Sequence, residues 1–257
     1  MTILISLSAF GASEVKHHGQ LGFAKLAAAA GADGVEVRAE LLRDTNNPGD
    51  ELADIAQALP DLQRVYSSPE PLCCASGSLD IAALEQALAG TRQLQSQRLK
   101  MSLGCTHRFS TADWEVLAER LSAFSIELLV ENDQTEGGGT LGELRRFFAA
   151  AQAHGLNLGM TFDIGNWHWA GECPQEAAHA LSANTRYVHT KGVQRQPQRW
   201  VAVPINESAA PWRTILRTLP TGLPWAIEYP LCGEDLLAVT RQEVERLRLA
   251  ARLGMAA

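Results

Sequence analysis

The chain has 257 residues, of which 46% are hydrophobic and 20% are charged. This composition can bury a large core and excludes global disorder. The formal net charge is −7 at pH 7, so no overall basic excess points to a nucleic-acid partner.

The five cysteines form no Cys-x-x-Cys pair, which favours reduced thiols over a disulfide framework or a zinc finger. The apolar stretch at the start of the chain has no basic segment before it. No run reaches the roughly 18 apolar residues that a membrane span requires. These features predict a soluble, cytoplasmic protein without a membrane partner.

Short apolar or β-branched runs alternate with longer Ala- and Leu-rich segments of helical spacing along the chain. The predicted strands are 3–10, 34–38, 62–67, 99–104, 126–131, 158–163, 186–191 and 225–229. The predicted helices lie near 19–30, 49–58, 78–90, 111–124, 140–153, 174–182, 206–219 and 233–253. Hydroxyl side chains at Ser78 and Ser110 are predicted helix starts, and Gly31, Gly90 and Gly155 are predicted helix exits.

Eight strand-helix pairs of about 32 residues each predict a parallel sheet with crossover helices. The fold class is therefore α/β, with a single (β/α)8 TIM barrel domain over residues 1–257. An open doubly wound sheet is the alternative, but no G-x-G-x-x-G follows the first strand. The longest irregular segment, 192–212, is predicted to belong to the working face.

Polar residues stand at the ends of the last four predicted strands. Glu131, Asp163, His189 and Glu228 are spaced about one β-α repeat apart, so they should converge at the barrel mouth. Three carboxylates and one imidazole would repel strongly there without a cation. The set predicts a divalent metal, with Mn²⁺, Mg²⁺ or Co²⁺ favoured and Zn²⁺ as an alternative. Each residue taken alone has a simpler interpretation as a helix cap, a salt-bridge partner or a core histidine.

The motifs VEND, FDIGN, HTKG and IEYP resemble the metal-ligating strand ends of the xylose isomerase-like TIM barrels. This sugar isomerase/epimerase superfamily includes ketose 3-epimerases, hydroxypyruvate isomerase, inosose dehydratase and endonuclease IV. The segment GADGVEVR resembles its second strand, so the resemblance spans essentially the whole chain. The DIGNWHW stretch is similar to epimerase-like proteins encoded in 2-ketogluconate utilisation clusters.

The resemblance implies that Glu131, Asp163, His189 and Glu228 are metal ligands, and that Glu131 and Glu228 also act as the catalytic acid/base pair. It implies a substrate-binding role for Arg195, six residues after His189. The chain departs from the ketose epimerases where Asn166 replaces their substrate-binding histidine, and where Gly137 replaces a glutamate. The histidines of endonuclease IV are missing from GVQRQPQRW, which supports the absence of a nucleic-acid partner.

Other residues near the predicted mouth have two interpretations each. Lys191 could hold a substrate anion or pair with a ligand carboxylate, and Arg195 could bind a substrate anion or remain solvated. Glu36 could contact substrate or pair with Arg38. His168, flanked by Trp167 and Trp169, could contact substrate with Asn166 and Trp167, or the tryptophans could simply pack the loop. The predicted substrate-binding residues are Lys191, Arg195, His168, Asn166, Glu36 and Trp167.

The predicted enzyme is a metal-dependent isomerase or epimerase of a small sugar or sugar acid. It would abstract a proton next to a carbonyl and pass through a metal-stabilised enediolate. Two alternatives stay open, namely a metal-dependent dehydratase of the same fold and a non-catalytic barrel that binds a sugar acid. Homo-oligomers are common in this superfamily, so a homo-oligomer is an expectation by analogy only.

Overall fold

The computed structural model describes residues 1–44 and 48–255, so residues 45–47 and 256–257 of the predicted domain range lie outside the described residues. Eight parallel strands close into a barrel in which consecutive barrel strands are neighbours and the last pairs with the first. This confirms the predicted (β/α)8 TIM barrel. The barrel strands are β1 Ile3–Ser6, β2 Gly34–Arg38, β3 Gln63–Ser67, β4 Arg98–Ser102, β5 Glu127–Glu131, β6 Gly159–Asp163, β7 Thr185–Thr190 and β10 Trp225–Ile227.

An antiparallel hairpin stands outside the barrel, formed by β8 Gly192–Arg195 and β9 Trp200–Val203. The helices are α1 Ala12–His18, α2 Gln20–Ala29, α3 Gly49–Ala58, α4 Ile81–Gln93, α5 Thr111–Phe124, α6 Leu141–Ala153, α7 Pro174–Leu181, α8 Trp212–Thr218 and α9 Leu236–Met255. Within the described ranges, none of these helices is both long and apolar enough to cross a bilayer.

The first predicted strand is too long. β1 ends at Ser6, and the apolar run Leu7–Phe10 forms a 3-10 helix whose side chains Leu7 and Phe10 are buried. The run then turns at Gly11, where φ is +93°, into helix α1, which the sequence analysis missed. A short apolar run packs equally well as a strand or as a buried turn, so its periodicity does not separate the two.

Several predicted helix boundaries also differ from the structure. The helix predicted near 206–219 is only α8, because the segment before it forms a 3-10 turn at Ile205–Glu207 followed by irregular backbone up to Pro211. Helix α4 starts later than predicted, and its cap is not Ser78 but Asp80, whose carboxylate accepts a hydrogen bond from Ala83 N at 2.9 Å. Gly90 lies inside α4 and is not a helix exit.

Other predicted helix ends are confirmed. Ser110 and Asp113 form a reciprocal capping box at the start of α5. Gly31 and Gly155 have φ values of +89° and +77°, as expected for residues that leave a helix in a left-handed conformation.

The barrel interior is filled in layers by alternate residues of each strand. Five apolar side chains form a small cluster separate from the main core between strands and helices, namely Leu4, Val65, Leu129, Tyr187 and Ala226. Glycine is required beside Leu4 in this layer, because a Cβ at Gly34 would lie 2.6 Å from the backbone oxygen of Gln63 and 2.8 Å from Leu4 Cγ. Two residues further along β2, β5 and β7, the inward positions are Glu36, Glu131 and His189, so a charged layer lies on the apolar one.

Candidate metal centre

The structure brings together the four residues predicted as metal ligands. Glu131, Asp163 and His189 lie at or near the ends of β5, β6 and β7, and Glu228 directly follows β10. One potential ligand atom from each residue lies within 4.8 Å of the other three. The register explains this convergence, since Asp163 is paired with His189 across β6 and β7.

The imidazole of His189 is fully buried and stands at the centre of the cluster. Its Nδ1 atom lies 2.9 Å from Glu131 Oε1, 3.0 Å from Glu228 Oε2 and 3.8 Å from Asp163 Oδ2. On the opposite side of the ring, Nε2 lies 2.8 Å from Oε2 of Glu36, which is also fully buried. A ring nitrogen carries at most one proton, so Nδ1 cannot satisfy three carboxylates.

Asp163 is held by the loop that follows it. Its Oδ1 atom accepts hydrogen bonds from the backbone N–H groups of Gly165 at 2.7 Å and Asn166 at 3.0 Å. The side chain of Asn132 fixes the backbone of Asp163, because Nδ2 donates to its carbonyl at 3.0 Å and Oδ1 accepts from its N–H at 2.9 Å. Oδ2 of Asp163 is therefore directed toward the cluster.

Three permanent cations surround the carboxylates. Lys100 Nζ lies 2.8 Å from Glu131 Oε2 and 3.0 Å from Glu36 Oε1. Lys191 Nζ lies 2.7 Å from both Asp163 Oδ2 and Glu228 Oε2.

Arg38 is the third of these cations. Its guanidinium donates to Glu228 Oε1 at 2.6 Å and to Glu40 Oε1 at 2.9 Å. Each predicted acid/base glutamate therefore has one oxygen beside His189 and the other oxygen on a fixed cation, Lys100 for Glu131 and Arg38 for Glu228.

These contacts shift the proton affinities of the cluster in different directions. Burial raises the pKa of Glu131 and of Glu228, but nearby Lys100, Lys191 and His189 lower it more, so both pKa values lie below the ordinary range. Burial lowers the pKa of His189, but Glu36 and Glu228 outweigh it and hold this pKa well above its usual value. For Asp163, burial outweighs Lys191 and the pKa is raised.

The residues present fit a divalent cation. Glu131 Oε1 and Asp163 Oδ2 are buried and make no aligned hydrogen bond, although each lies near a cationic side chain. Five carboxylates, including Glu36 and Glu40, face only three permanent cations in this cluster. One divalent ion beside a neutral His189 would balance that charge, and an oxygen-rich set with one imidazole suits Mn²⁺, Mg²⁺, Co²⁺ or Zn²⁺.

The residues predicted to bind substrate are divided between this cluster and its surroundings. Lys191 and Asn166 are bonded to each other, since Lys191 Nζ donates to Asn166 Oδ1 at 3.0 Å. Glu36 and Trp167 have no exposed surface, and Trp167 packs against Phe162. In this arrangement neither Glu36 nor Trp167 presents atoms to a ligand, and we leave both out of the substrate-binding proposal.

His168 and Arg195 lie outside the cluster, beside the hairpin. The rings of His168 and Trp200 have centroids 4.7 Å apart, and the Arg195 guanidinium stands 5.2 Å over the Trp200 ring. Both residues line a cleft of about 580 Å³ between the loop after β6 and the hairpin.

The sequence analysis missed Lys100, Asn132 and Glu40, and it placed Arg38 only beside Glu36. The Arg38–Glu36 contact exists at 3.6 Å but is longer than the contacts of Arg38 with Glu228 and Glu40. Lys100 could have been found from the sequence, because it lies inside the apolar run LKMSL. A lysine buried in such a strand is rare unless it is paired with an anionic group.

No family model matches the chain, and no curated protein matches it in sequence. Solved structures share its fold at low identity. An L-ribulose 3-epimerase is 16% identical, with a TM-score of 0.69 over 100% of this chain and 96% of that one. A probable 3-DHS dehydratase involved in petrobactin synthesis, from Bacillus anthracis, is 15% identical, with a TM-score of 0.68 over 96% of this chain and 99% of that one.

The IOLI protein, whose crystal structure has a binding zinc atom, is 11% identical, with a TM-score of 0.68 over 96% of this chain and 98% of that one. At such identities the likeness establishes the fold. The resemblance read from the four strand-end motifs is confirmed at that level, and the chain has the fold of the xylose isomerase-like TIM barrels.

Proposed function

We propose that the protein is a divalent-metal-dependent isomerase or epimerase of a small sugar or sugar acid, which abstracts a proton next to a carbonyl. The observation that supports this most is the convergence of Glu131, Asp163, His189 and Glu228 within 4.8 Å. The epimerase and the zinc-containing protein among the structural neighbours agree with it.

The four ligand residues divide into two pairs by exposure. Asp163 and His189 have fully buried side chains, whereas Glu131 and Glu228 are 13% and 11% exposed. Of the four ligand residues, only the two glutamates therefore have side chains that are partly exposed. We assign proton abstraction and return to Glu131 and Glu228, and we assign Asp163 and His189 to holding the ion.

A divalent ion held by these residues would supply Lewis-acid polarisation of a substrate carbonyl. The protein residues hold their charges in place before substrate arrives, which avoids reorganisation during the reaction. Lys100 and Arg38 each bind the carboxylate oxygen of one glutamate that does not contact His189. They therefore keep both carboxylates ionised and able to accept a proton. Glu36 holds Nε2 of His189, which leaves Nδ1 directed at the site.

A dehydratase is the second candidate function, because a probable dehydratase is among the structural neighbours. Both reactions begin with removal of a proton beside a carbonyl. An isomerase or epimerase returns the proton, whereas a dehydratase loses a hydroxyl group.

Incubation of metal-loaded protein with ketoses and keto acids in D₂O tests the proposal. Deuterium at the carbon next to the carbonyl, detected by NMR, supports the isomerase or epimerase. A product that absorbs as an enone or appears as a keto-deoxy compound supports the dehydratase. Binding with neither outcome would support the non-catalytic barrel.

A further inference from the structure

The cleft between the loop after β6 and the β8–β9 hairpin has an unusual lining. Its aromatic walls are Trp169 and Trp200, its basic groups are Arg195, Arg199 and His168, and the remaining lining residues are Gly171, Glu172 and Gln198. The two flanking elements leave the barrel directly after Asp163 and His189, so the cleft opens at the same end of the barrel as the candidate metal centre.

Among residues 1–44 and 48–255, no carboxylate pairs with either arginine of the cleft, Arg195 or Arg199. Arg195 is instead held over the Trp200 ring, with which it is paired across the hairpin. The carboxylate of Glu172 is partly occupied, since its Oε1 accepts a hydrogen bond from Leu141 N at 3.1 Å.

His168 adds a second unsatisfied group to this lining. Its Nε2 atom is buried and has no hydrogen-bond partner, and its ring contacts Trp200. Buried polar atoms are normally hydrogen-bonded. The cleft is therefore lined by two guanidinium groups without an anionic partner, and by an imidazole whose Nε2 atom has no hydrogen-bond partner within the described part of the chain.

The cations inside the barrel are already occupied. Lys191 contacts two carboxylates and Asn166, which use its three N–H donors. Lys100 lies between Glu36 and Glu131, and Arg38 lies between Glu228 and Glu40. An anionic group entering the cluster would have to displace one of these pairs, whereas no carboxylate of the described residues would have to be displaced from Arg195 or Arg199.

We infer that the hairpin cleft binds the anionic end of the substrate, through Arg195, Arg199 and His168, while the uncharged carbonyl end lies at the metal centre. This inference rests on the proposed function and narrows its substrate class to sugars that carry a carboxylate or a phosphate. Guanidinium groups recognise both anions through paired N–H donors. The indole faces of Trp169 and Trp200 supply apolar walls for the sugar.

Titration calorimetry with three matched probes tests this inference. D-glucose, D-gluconate and D-glucose 6-phosphate are titrated into the full-length protein, with and without Mn²⁺. At least one anionic probe is expected to bind about tenfold or more tightly than D-glucose, which corresponds to about 1.4 kcal/mol. The tighter of the two anions tells whether a carboxylate or a phosphate is preferred.

The double variant Arg195→Gln/Arg199→Gln is expected to lose this preference. The matched control is Arg213→Gln/Arg217→Gln on α8, which removes the same charge, includes an arginine that stacks on Trp212, and should retain it. Equal binding of all three probes would overturn the inference. A preference that survives in the double variant, or that disappears equally in the control, would also overturn it.

The same samples separate this inference from the proposed function. Deuterium exchange into neutral ketoses without any anion preference would refute the anionic subsite and leave the isomerase or epimerase intact. An anion preference that depends on Arg195 and Arg199, with no exchange into any substrate, would keep the subsite and refute the proposed reaction.

Discussion

Nε2 of His189 lies 2.8 Å from Oε2 of Glu36, and both side chains are fully buried. A carboxylate on one ring nitrogen fixes the tautomer and orientation of a metal-binding histidine. Here the contact directs Nδ1 toward Glu131, Asp163 and Glu228. Glu36 would therefore orient a metal ligand without being one itself.

The variant Glu36→Gln should bind Mn²⁺ about 10–100-fold more weakly, because the amide makes His189 less basic and less well oriented. Calorimetric titration of metal-free protein measures the change. Glu40→Gln is the matched control, since Glu40 contacts Arg38 and not His189, and it should produce a smaller loss. Equal losses in both variants would contradict a specific role for Glu36.

Replacing either acid/base glutamate should stop proton exchange. Glu131→Gln and Glu228→Gln are each expected to reduce deuterium incorporation by at least about 10²–10⁴-fold, the usual contribution of a general acid or base. Thermal unfolding should show that both variants remain folded. Glu127→Gln, at the opposite end of β5 and paired with Arg98, is the control. Wild-type exchange in Glu131→Gln or Glu228→Gln would remove that residue from the mechanism.

Lys100 is 2% exposed and is the one permanent cation of the described cluster that contacts both Glu36 and Glu131. Lys100→Met should destabilise the metal-free protein by about 3–5 kcal/mol, because it leaves buried carboxylates without their partner. Urea denaturation measures this loss, and added Mn²⁺ should recover part of it by binding the folded state. Lys25→Met, on the exposed side of α2, should change stability by less than about 0.5 kcal/mol. A similar small effect in Lys100→Met would refute the pairing argument.

Gly90 in α4 packs directly on the ring of Tyr66, and a Cβ there would lie 2.4 Å from Tyr66 Cζ. Gly90→Ala should therefore destabilise the protein by about 1–3 kcal/mol through overpacking, although alanine favours helices. Gly22→Ala in α2 has open space at that position and should stabilise by up to about 1 kcal/mol. Urea denaturation of both variants measures whether their free energies of unfolding change in opposite directions. Stabilisation by Gly90→Ala would show that the contact is easily relaxed.

Cys74 should react with iodoacetamide at neutral pH. Hydrogen bonds from Ser76 and Ser78 lower the pKa of its thiol from 9.0 to about 7, and the thiolate is the reactive form. The alkylation rate should therefore rise with pH and reach half its maximum near pH 7, as followed by peptide mass spectrometry. Burial raises the pKa of neighbouring Cys73 to about 12, so Cys73 should stay unmodified. A midpoint near pH 9 for Cys74 would contradict the effect of the serines.

The barrel could be predicted from sequence because its signals are local. Each barrel strand contains a short apolar run, and longer amphipathic segments separate these runs, so all eight barrel strands were found, whereas the short helix α1 was missed. The errors fall where local signals are ambiguous or where a tertiary contact decides. Leu7–Phe10 is apolar enough for a strand but packs as a 3-10 helix, and Gly90 serves a contact with Tyr66 from another element.

The four candidate metal ligands could be predicted from the sequence because they occur at the same point of successive β-α repeats. Four acidic or imidazole residues at successive strand ends define a common position, and their convergence follows from the closed barrel. The cations that pair with these ligands do not occur at a repeated position in the sequence. Arg38 reaches Glu228, 190 residues away, and Lys100 joins Glu36 to Glu131, so these partners follow only from the three-dimensional arrangement.

The most direct test is anomalous diffraction from crystals of the protein soaked in Mn²⁺. One manganese peak per chain is expected, surrounded by Glu131, Asp163, His189 and Glu228, with Glu36 remaining on the far side of the imidazole. Saturated crystals that show no peak among these four side chains, or a peak elsewhere only, would contradict the proposed metal centre.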